Sequence, residues 1–182
     1  MTPRLHVVPA LSETGLDTSV PSPIGVVLAD DHPLMSRSVQ RLLDSEQDIE
    51  VIAQAGDQAS AICAVRDSHP RVLVLDLRLP GGSSVETIVQ LRERAPGTEI
   101  VVMTMAEDPV FARCTLAAGA LGFVAKDLAD SELPQAVRAA ARGEEYVSPR
   151  MAGRLQASRA RTRPARSLTA LPDRREASAG TL

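Results

Sequence analysis

Aromatic residues and lysine are both scarce in this sequence of 182 residues. There is no tryptophan, so a hydrophobic core has to be built from the aliphatic side chains of Val, Leu, Ile and Ala. Hydrophobic residues make up 44% of the chain, which is enough for one domain of ordinary size. Lys126 is the single lysine in the chain, so a compact side-chain ammonium group occurs at one position only. The whole aromatic content is Phe111, Phe123 and Tyr146.

Long apolar runs and a secretory signal are also missing. No run approaches the roughly 20 residues that a membrane-spanning helix needs, and the apolar patch near the N-terminus is short and interrupted by Pro9. The only two cysteines, Cys63 and Cys114, are far apart, which is typical of a reducing compartment rather than a disulfide framework. We expect a cytoplasmic protein with no membrane contact and with both cysteines packed as small buried side chains.

The two ends of the chain differ in composition from its middle. Residues 1–23 are rich in Pro, Ser and Thr and show no periodicity, which predicts a disordered leader. Residues 150–182 hold eight arginines but only two acidic residues. Beyond residue 156 there is no apolar stripe, so we expect a flexible basic tail. Such a tail is either simply solvated or touches nucleic-acid phosphates in a salt-sensitive, non-specific way.

Between the ends, an apolar run followed by a helical pattern occurs five times. Continuous apolar runs are typical of strands buried on both faces, and we expect Asp31 to be the N-cap of the first helix. Strands that alternate with helices form a parallel sheet with helices on both faces. The sequence therefore predicts a doubly wound α/β domain with five strands. The strands are expected at 24–29, 49–55, 71–76, 99–104 and 121–126, and the later helices at 57–69, 84–95, 108–119 and 130–143.

Polar residues follow or end most of these apolar runs. Since ligands bind at the carboxyl ends of parallel strands, these side chains are expected to converge at one edge of the sheet. Clustered carboxylates repel one another unless a cation lies between them, and Mg²⁺ prefers such oxygen ligands. Lys126 would supply a point charge for a phosphate or carboxylate oxygen. The residues at the strand ends are Asp30, Asp31, Asp76, Thr104 and Lys126.

Each of these residues also has an ordinary structural interpretation. Asp30 and Asp31 suit a helix cap and Asp76 suits a turn, while Thr104 and Lys126 suit a solvated surface. Their joint placement at successive strand ends favours a functional site.

Four motifs at these strand ends resemble the receiver domain of two-component response regulators. They are "LADDHPLM", "VLVLDLRLPGG", "VVMTMAED" and "AGALGFVAKD", and the resemblance covers residues 24–145. It implies a flavodoxin-like or CheY-like sheet in the order 2-1-3-4-5. The forms "DDHP" and "GEEYVSPRMAGRL" resemble in particular the NarL/FixJ subfamily, whose members carry a LuxR-type helix-turn-helix. On this basis residues 146–182 are expected to form a short helix and a basic flexible tail.

The resemblance implies a role for each site residue. Asp76 would accept a phosphoryl group from the phosphohistidine of a sensor histidine kinase, and Lys126 would pair with the phosphoaspartate. Mg²⁺ would be held by Asp30, Asp31, Asp76 and the backbone carbonyl of Arg78. The protein would then be a phosphoacceptor in a phosphorelay that regulates transcription, and its only catalysis would be its own phosphorylation and dephosphorylation.

Thr104 and Phe123 are the switch residues that the resemblance implies. Thr104 would move toward the phosphate and Phe123 would change rotamer, which would shift the surface of the fourth helix, fifth strand and fifth helix. A homodimer that forms on phosphorylation is one expected consequence. Phe123 has a second interpretation, as a simple core aromatic.

The sequence departs from the family pattern at three places. Ser84 stands where the family usually has Gly, and Met105 follows Thr104 where a small residue is common. Only 27 residues follow residue 155, fewer than a helix-turn-helix domain of about 60 residues needs. We expect either a receiver that acts alone or the remnant of a LuxR-type DNA-binding regulator, and no sequence-specific DNA binding from this chain alone.

Two other classes use similar residues. A haloacid dehalogenase-type hydrolase has its nucleophilic Asp first, in a D-x-D pattern, and its acidic pair late, whereas here the acidic pair comes first. A receiver that works without metal would not need the acidic pair, Asp76, Thr104 and Lys126 together. Both alternatives are therefore disfavoured.

Overall fold

The computed structural model describes residues 22–105 and 108–162, with side chains to residue 158. The predicted leader lies outside the described residues except for Ser22 and Pro23. The strands are β1 (Ile24–Ala29), β2 (Ile49–Ala55), β3 (Val72–Asp76), β4 (Glu99–Thr104), β5 (Gly122–Ala125) and β6 (Tyr146–Val147). The helices are α1 (Pro33–Asp44), α2 (Gln58–Ser68), α3 (Ser84–Arg94), α4 (Pro109–Ala117), α5 (Ala129–Ala141) and α6 (Pro149–Thr162), with a 3₁₀ turn at Lys126–Leu128.

The strands form one parallel sheet in the order β2-β1-β3-β4-β5-β6. This confirms the predicted doubly wound α/β fold and its 2-1-3-4-5 order. The sheet has a sixth strand that was not predicted, because two residues are too few to show a periodicity. In β6, Tyr146 pairs with Gly122 and Val147 pairs with Phe123.

Two apolar clusters cover the two faces of the sheet, as expected for strands buried on both sides. Val27, Leu73 and Phe123 belong to one cluster, and Val26 and Leu133 to the other. Of the three aromatics, Phe123 is fully buried, whereas Phe111 is 52% exposed. The core is therefore aliphatic around one aromatic ring, as the composition predicts.

The predicted N-cap of α1 is wrong. The N-cap is His32, and the helix has no side-chain cap. The reason is that Asp30, rather than Asp31, bonds the local backbone: its Oδ1 accepts from the His32 amide at 2.8 Å. Asp31 is therefore not used in capping, and its carboxylate lies at the edge of the sheet.

The prediction that both cysteines are buried is also wrong. Cys63 and Cys114 are exposed. Their helices pack on the sheet through other positions, Ala61 and Val65 in α2 and Ala112 in α4. The cysteines lie on the outer faces because a helix buries one stripe only.

Helix α6 extends six residues past the point where the sequence predicts flexibility. Met151 is buried in a core cluster and Leu155, one turn later, packs against the same cluster. These two side chains supply an apolar stripe that is too short to stand out in the sequence. Residues 163–182 lie outside the described residues. Within the described ranges, none of the helices is both long and apolar enough to cross a membrane.

Candidate functional site

The predicted carboxylates meet at the carboxyl end of β1 and β3. The register places Ala29 beside Leu75, so the residues that follow, Asp30 and Asp76, are neighbours. Asp30 is 5% exposed and Asp76 is 2% exposed, whereas Asp31 lies at the surface. Two carboxylates are thus held in an environment of low polarity, where they need a cation.

Lys126 supplies one positive charge to this pair. It is the first residue after β5, and its Nζ lies 2.6 Å from Asp30 Oδ2 and 2.8 Å from Asp76 Oδ2. Burial by itself lowers the pKa of Lys126, but the hydrogen bonds to both carboxylates outweigh burial and raise the pKa above its ordinary value. The ammonium group therefore stays charged and partly neutralises the pocket.

Asp31 and His32 complete the acidic cluster. Asp31 Oδ1 lies 2.8 Å from His32 Nδ1, which is also 3.4 Å from Asp30 Oδ1. One possible ligand atom from each of Asp30, Asp31, His32 and Asp76 lies within 4.8 Å of the others. Three carboxylates opposite one ammonium leave an excess of negative charge, and this oxygen-rich donor set fits a hard divalent cation such as Mg²⁺.

The loop that follows β3 folds back onto Asp76. The Arg78 amide donates to Asp76 Oδ1 at 3.0 Å, and the Leu79 amide donates to the Asp76 carbonyl at 3.4 Å. Ser84, which departs from the family pattern, is buried, and its hydroxyl donates to the Leu77 carbonyl at 2.7 Å. This residue thus ties the start of α3 to the loop.

The two predicted switch residues lie beside this site in neighbouring strands. Thr104 ends β4 with no exposed surface and pairs with Ala125 of β5. Phe123 is fully buried two residues earlier in β5. Met105, the other departure from the family pattern, follows Thr104 in the chain and is 63% exposed. A cavity of about 370 Å³ beside Thr104 is lined by Thr104, Arg78 and Phe111, among others.

Two residues near the site were not singled out from the sequence. His32 stood in the quoted "DDHP" motif, so a signal for it existed. Gln58, the first residue of α2, is buried and hydrogen bonds to the loop after Asp76. Nothing in the sequence pattern marked Gln58, because its partners are more than 20 residues away.

A model of the response regulator receiver domain matches residues 26–138. The nitrate/nitrite response regulator protein NarP of Escherichia coli (strain K12) is 36% identical over 130 residues, covering 71% of this chain and 60% of NarP. The oxygen regulatory protein NreC of Staphylococcus epidermidis is 35% identical over 127 residues, covering 69% of this chain and 58% of NreC. The chain thus spans about three fifths of the length of these curated relatives.

Solved structures give the same result. A LuxR-family two-component response regulator from Aurantimonas sp. SI85-9A1 superposes with a TM-score of 0.73 at 32% identity, covering 76% of this chain and 99% of that chain. The signal receiver domain of the putative response regulator NarL from Mycobacterium tuberculosis superposes with a TM-score of 0.65 at 31% identity, covering 68% of this chain and all of that chain. Together with the acidic cluster and its lysine, these similarities establish that the chain belongs to the receiver domain family of two-component response regulators.

Proposed function

We propose that Asp76 accepts a phosphoryl group from the phosphohistidine of a sensor histidine kinase. The observation that carries the proposal is the placement of its carboxylate at the end of β3, with Oδ2 2.8 Å from Lys126 Nζ. Asp30 and Asp31 contribute carboxylate oxygens within 4.8 Å of it. With the Arg78 carbonyl, the three aspartates form the proposed ligand set for Mg²⁺.

The residues of the chain act by positioning and by neutralising charge. A carboxylate oxygen of Asp76 forms a bond to phosphorus as the bond from phosphorus to the histidine nitrogen breaks. The electron pair of the broken bond stays on that nitrogen, and the ring leaves as a neutral imidazole whose other nitrogen carries the proton. Asp76 reacts as its carboxylate, so it has no proton to lose. Bound Mg²⁺ would neutralise the charge on the phosphoryl oxygens. Lys126 holds Asp30 and Asp76 in place and offers its ammonium to the new phosphoaspartate. The same arrangement supports phosphorylation by small phosphate donors and hydrolysis of the acyl phosphate.

The proposed switch runs from Thr104 to Phe123 and on to the β6–α6 segment. Thr104 would turn its hydroxyl toward the phosphoryl group, and Phe123 would follow into the space behind it. The Phe123 carbonyl accepts from the Ser148 amide at 3.1 Å, so a movement of β5 would reach the start of α6. The proposed output surface, formed by α4, β5 and α5, therefore includes the contact with α6. A two-state shift of this surface would report phosphorylation.

A related structure suggests the oligomeric state in which this chain signals. One related structure is described as two RcsB dimers bound to two parallel DNAs, and it is 25% identical to this chain. We propose a homodimer that forms on phosphorylation as the signalling state of this chain. The partner upstream is proposed to be a sensor histidine kinase, and the place of action is proposed to be the cytoplasm.

Phosphorylation of Asp76 is tested by mass spectrometry. Incubation with acetyl phosphate and Mg²⁺ is expected to add one phosphoryl group to the intact chain, and Asp76→Asn is expected to abolish the adduct. Asp67→Asn is the matched control, because Asp67 is an exposed carboxylate on α2 paired with Arg66. An adduct that persists in Asp76→Asn would show that another residue is the acceptor.

A further inference from the structure

Gln58 makes three hydrogen bonds to the loop between β3 and α3 and a fourth to α3 itself. It is 6% exposed, and its Nε2 donates to the Leu79 carbonyl at 3.2 Å and to the Gly82 carbonyl at 2.9 Å. Its Oε1 accepts from the Thr87 hydroxyl at 2.6 Å. In addition, the backbone N–H of Gln58 donates to the Pro80 carbonyl at 2.9 Å. A single buried side chain thus joins α2, the loop and α3.

The two glycines of the loop fit closely around this side chain. A Cβ added to Gly81 would lie 3.2 Å from Gln58 Cβ, and one added to Gly82 would lie 3.2 Å from Gln58 Oε1. Their φ angles are 119° and 144°, a region that favours glycine. The glycine pair in "LRLPGG" therefore lets the backbone of the loop approach Gln58.

The bonds from Gln58 begin three residues after Asp76. On one side of Arg78, the Ser84 hydroxyl holds the Leu77 carbonyl, and on the other side Gln58 holds the Leu79 carbonyl. The Arg78 carbonyl, the proposed backbone ligand, lies between these two anchored peptide groups. Without the side-chain amide of Gln58, the carbonyls of Leu79 and Gly82 would each lose a hydrogen-bond donor, and the loop would sample other conformations.

We infer that Gln58 is a positioning residue that holds the Arg78 carbonyl and the Asp76 carboxylate in the geometry that binds Mg²⁺. The inference rests on the proposed function, because it concerns the same metal site. None of the hydrogen bonds of Gln58 reaches Asp30, Asp31 or Asp76. Gln58 acts through the loop, as residues that support metal ligands do elsewhere.

The test measures the Mg²⁺ concentration at which the melting temperature has risen by half of its full Mg²⁺-dependent increase. Gln58→Met keeps the approximate shape of the side chain and removes its three side-chain hydrogen bonds, while the backbone bond to Pro80 remains. We expect this midpoint to rise about tenfold. Thr87→Val removes one of these three side-chain bonds and is expected to raise the midpoint about threefold. Gln135→Met is the matched control, since Gln135 is exposed on α5 and bonds only within that helix.

The phosphorylation rate with acetyl phosphate gives a second readout. At saturating Mg²⁺ the phosphorylation rate of Gln58→Met is expected to return to within about twofold of the wild-type rate, because Asp76 and Lys126, the groups proposed to act on the phosphoryl group, are intact. Unchanged Mg²⁺ midpoints in both Gln58→Met and Thr87→Val would overturn the inference. If Gln58→Met does not fold, the Mg²⁺ midpoint of Thr87→Val alone decides, and an unchanged midpoint in that variant overturns the inference. Failure of the proposed function has a different signature, namely a wild-type chain that gains no phosphoryl group at any Mg²⁺ concentration.

Discussion

At the scale of single residues, the site depends on one ammonium held between two buried carboxylates. Lys126 contacts Asp30 and Asp76, and its side chain is 3% exposed. A planar guanidinium fork would need more space and would spread its charge over several donors. This explains why a chain with so many arginines has its single lysine here.

The loss of Asp31 is expected to abolish the stabilisation of the chain by Mg²⁺. At a Mg²⁺ concentration tenfold above Kd, the melting temperature of the wild-type chain is expected to rise by about 5 °C, because the ion binds the folded state only. Asp31→Ala is expected to remove this rise, which thermal denaturation with and without Mg²⁺ measures. Asp67→Ala, which removes an exposed carboxylate on α2, should respond like the wild-type chain. An undiminished response in Asp31→Ala would place the ion elsewhere.

Sequence reasoning identified the residues of this site that end apolar runs. Asp30, Asp76 and Lys126 could be predicted to converge because parallel strands bring their carboxyl ends to one edge. Gln58 could not, because a glutamine at the start of a helix has no pattern that separates a buried side chain from a solvated one. The capping role given to Asp31 was wrong for a related reason, since two adjacent carboxylates were equally able to turn back onto the helix.

At the scale of elements, α6 is held by a small set of contacts. Met151 is 2% exposed in the core, Arg150 pairs with Asp127 at 3.1 Å, and Arg113 of α4 donates to Ser158. Because exposed ion pairs contribute little, most of the docking energy is expected to come from Met151 and Leu155. The position of α6 on α4 is therefore set by few side chains.

Removal of the Met151 side chain is expected to loosen α6. Met151→Ala should destabilise the docked helix by about 2 kcal/mol, and local opening should then expose Arg150 and Arg154 to trypsin. The rate of cleavage at these arginines, followed by mass spectrometry, is expected to rise roughly 10-fold or more. Gln156→Ala, an exposed position of the same helix, should leave the rate unchanged. Equal rates for Met151→Ala and the wild-type chain would show that α6 is held by other contacts.

Arg138 joins α5 to the turn between α1 and β2. It bonds Glu46 at 2.5 Å and both carboxylate oxygens of Asp48 at 2.6 and 2.8 Å. These hydrogen bonds hold the pKa of Asp48 below its usual range. A depressed carboxylate pKa means that the stabilisation is present above the unfolded pKa and is lost as the pH falls through the folded pKa.

Arg138→Met is therefore expected to act in a pH-dependent way. The free energy of unfolding at pH 7, measured with urea, should fall by about 1 kcal/mol, because the pair is partly exposed. The difference from the wild-type chain should shrink as the pH falls below about 4, because Asp48 of the unfolded chain binds a proton there, and it should be lost once the pH passes the lowered pKa of folded Asp48. Arg142→Met, which breaks a more exposed pair with Glu144, should have a smaller effect. A difference that stays constant down to pH 2.5 would mean that Arg138 stabilises by packing alone.

At the scale of the whole molecule, the topology could be predicted because the strand–helix unit repeats with clear boundaries. The strand β6 and the full length of helix α6, which follow α5, could not be predicted. β6 has two residues, and its pairing with Gly122 and Phe123 depends on the path of the chain after α5. Helix α6 shows a buried stripe only where it meets α4. Which positions of α2 and α4 are buried depends on the angle of each helix to the sheet, and for this reason the prediction that both cysteines are buried was wrong.

The whole-molecule prediction concerns DNA. Base-edge readout needs a helix or ribbon held rigidly in a groove, and the described residues contain one helix beyond the receiver fold, packed against α4 through Met151 and Leu155. We expect this chain to bind a promoter fragment and scrambled DNA alike at physiological salt, with or without phosphorylation. Weak, salt-sensitive binding through the arginines is consistent with this expectation. A preference of about a hundredfold in a gel-shift titration would contradict it.

The two edge strands of the sheet, β2 and β6, bear on whether the folded domain aggregates. An exposed strand edge is a template on which another chain can add a strand. On one side the last strand, β6, is only two residues long, so it offers few free backbone groups. On the other side β2 carries Glu50 at the surface, and its pairing with β1 shifts register between Val26 and Val27. Neither edge gives a long, regular row of donors and acceptors, so we expect the folded domain to resist the addition of a strand from another chain.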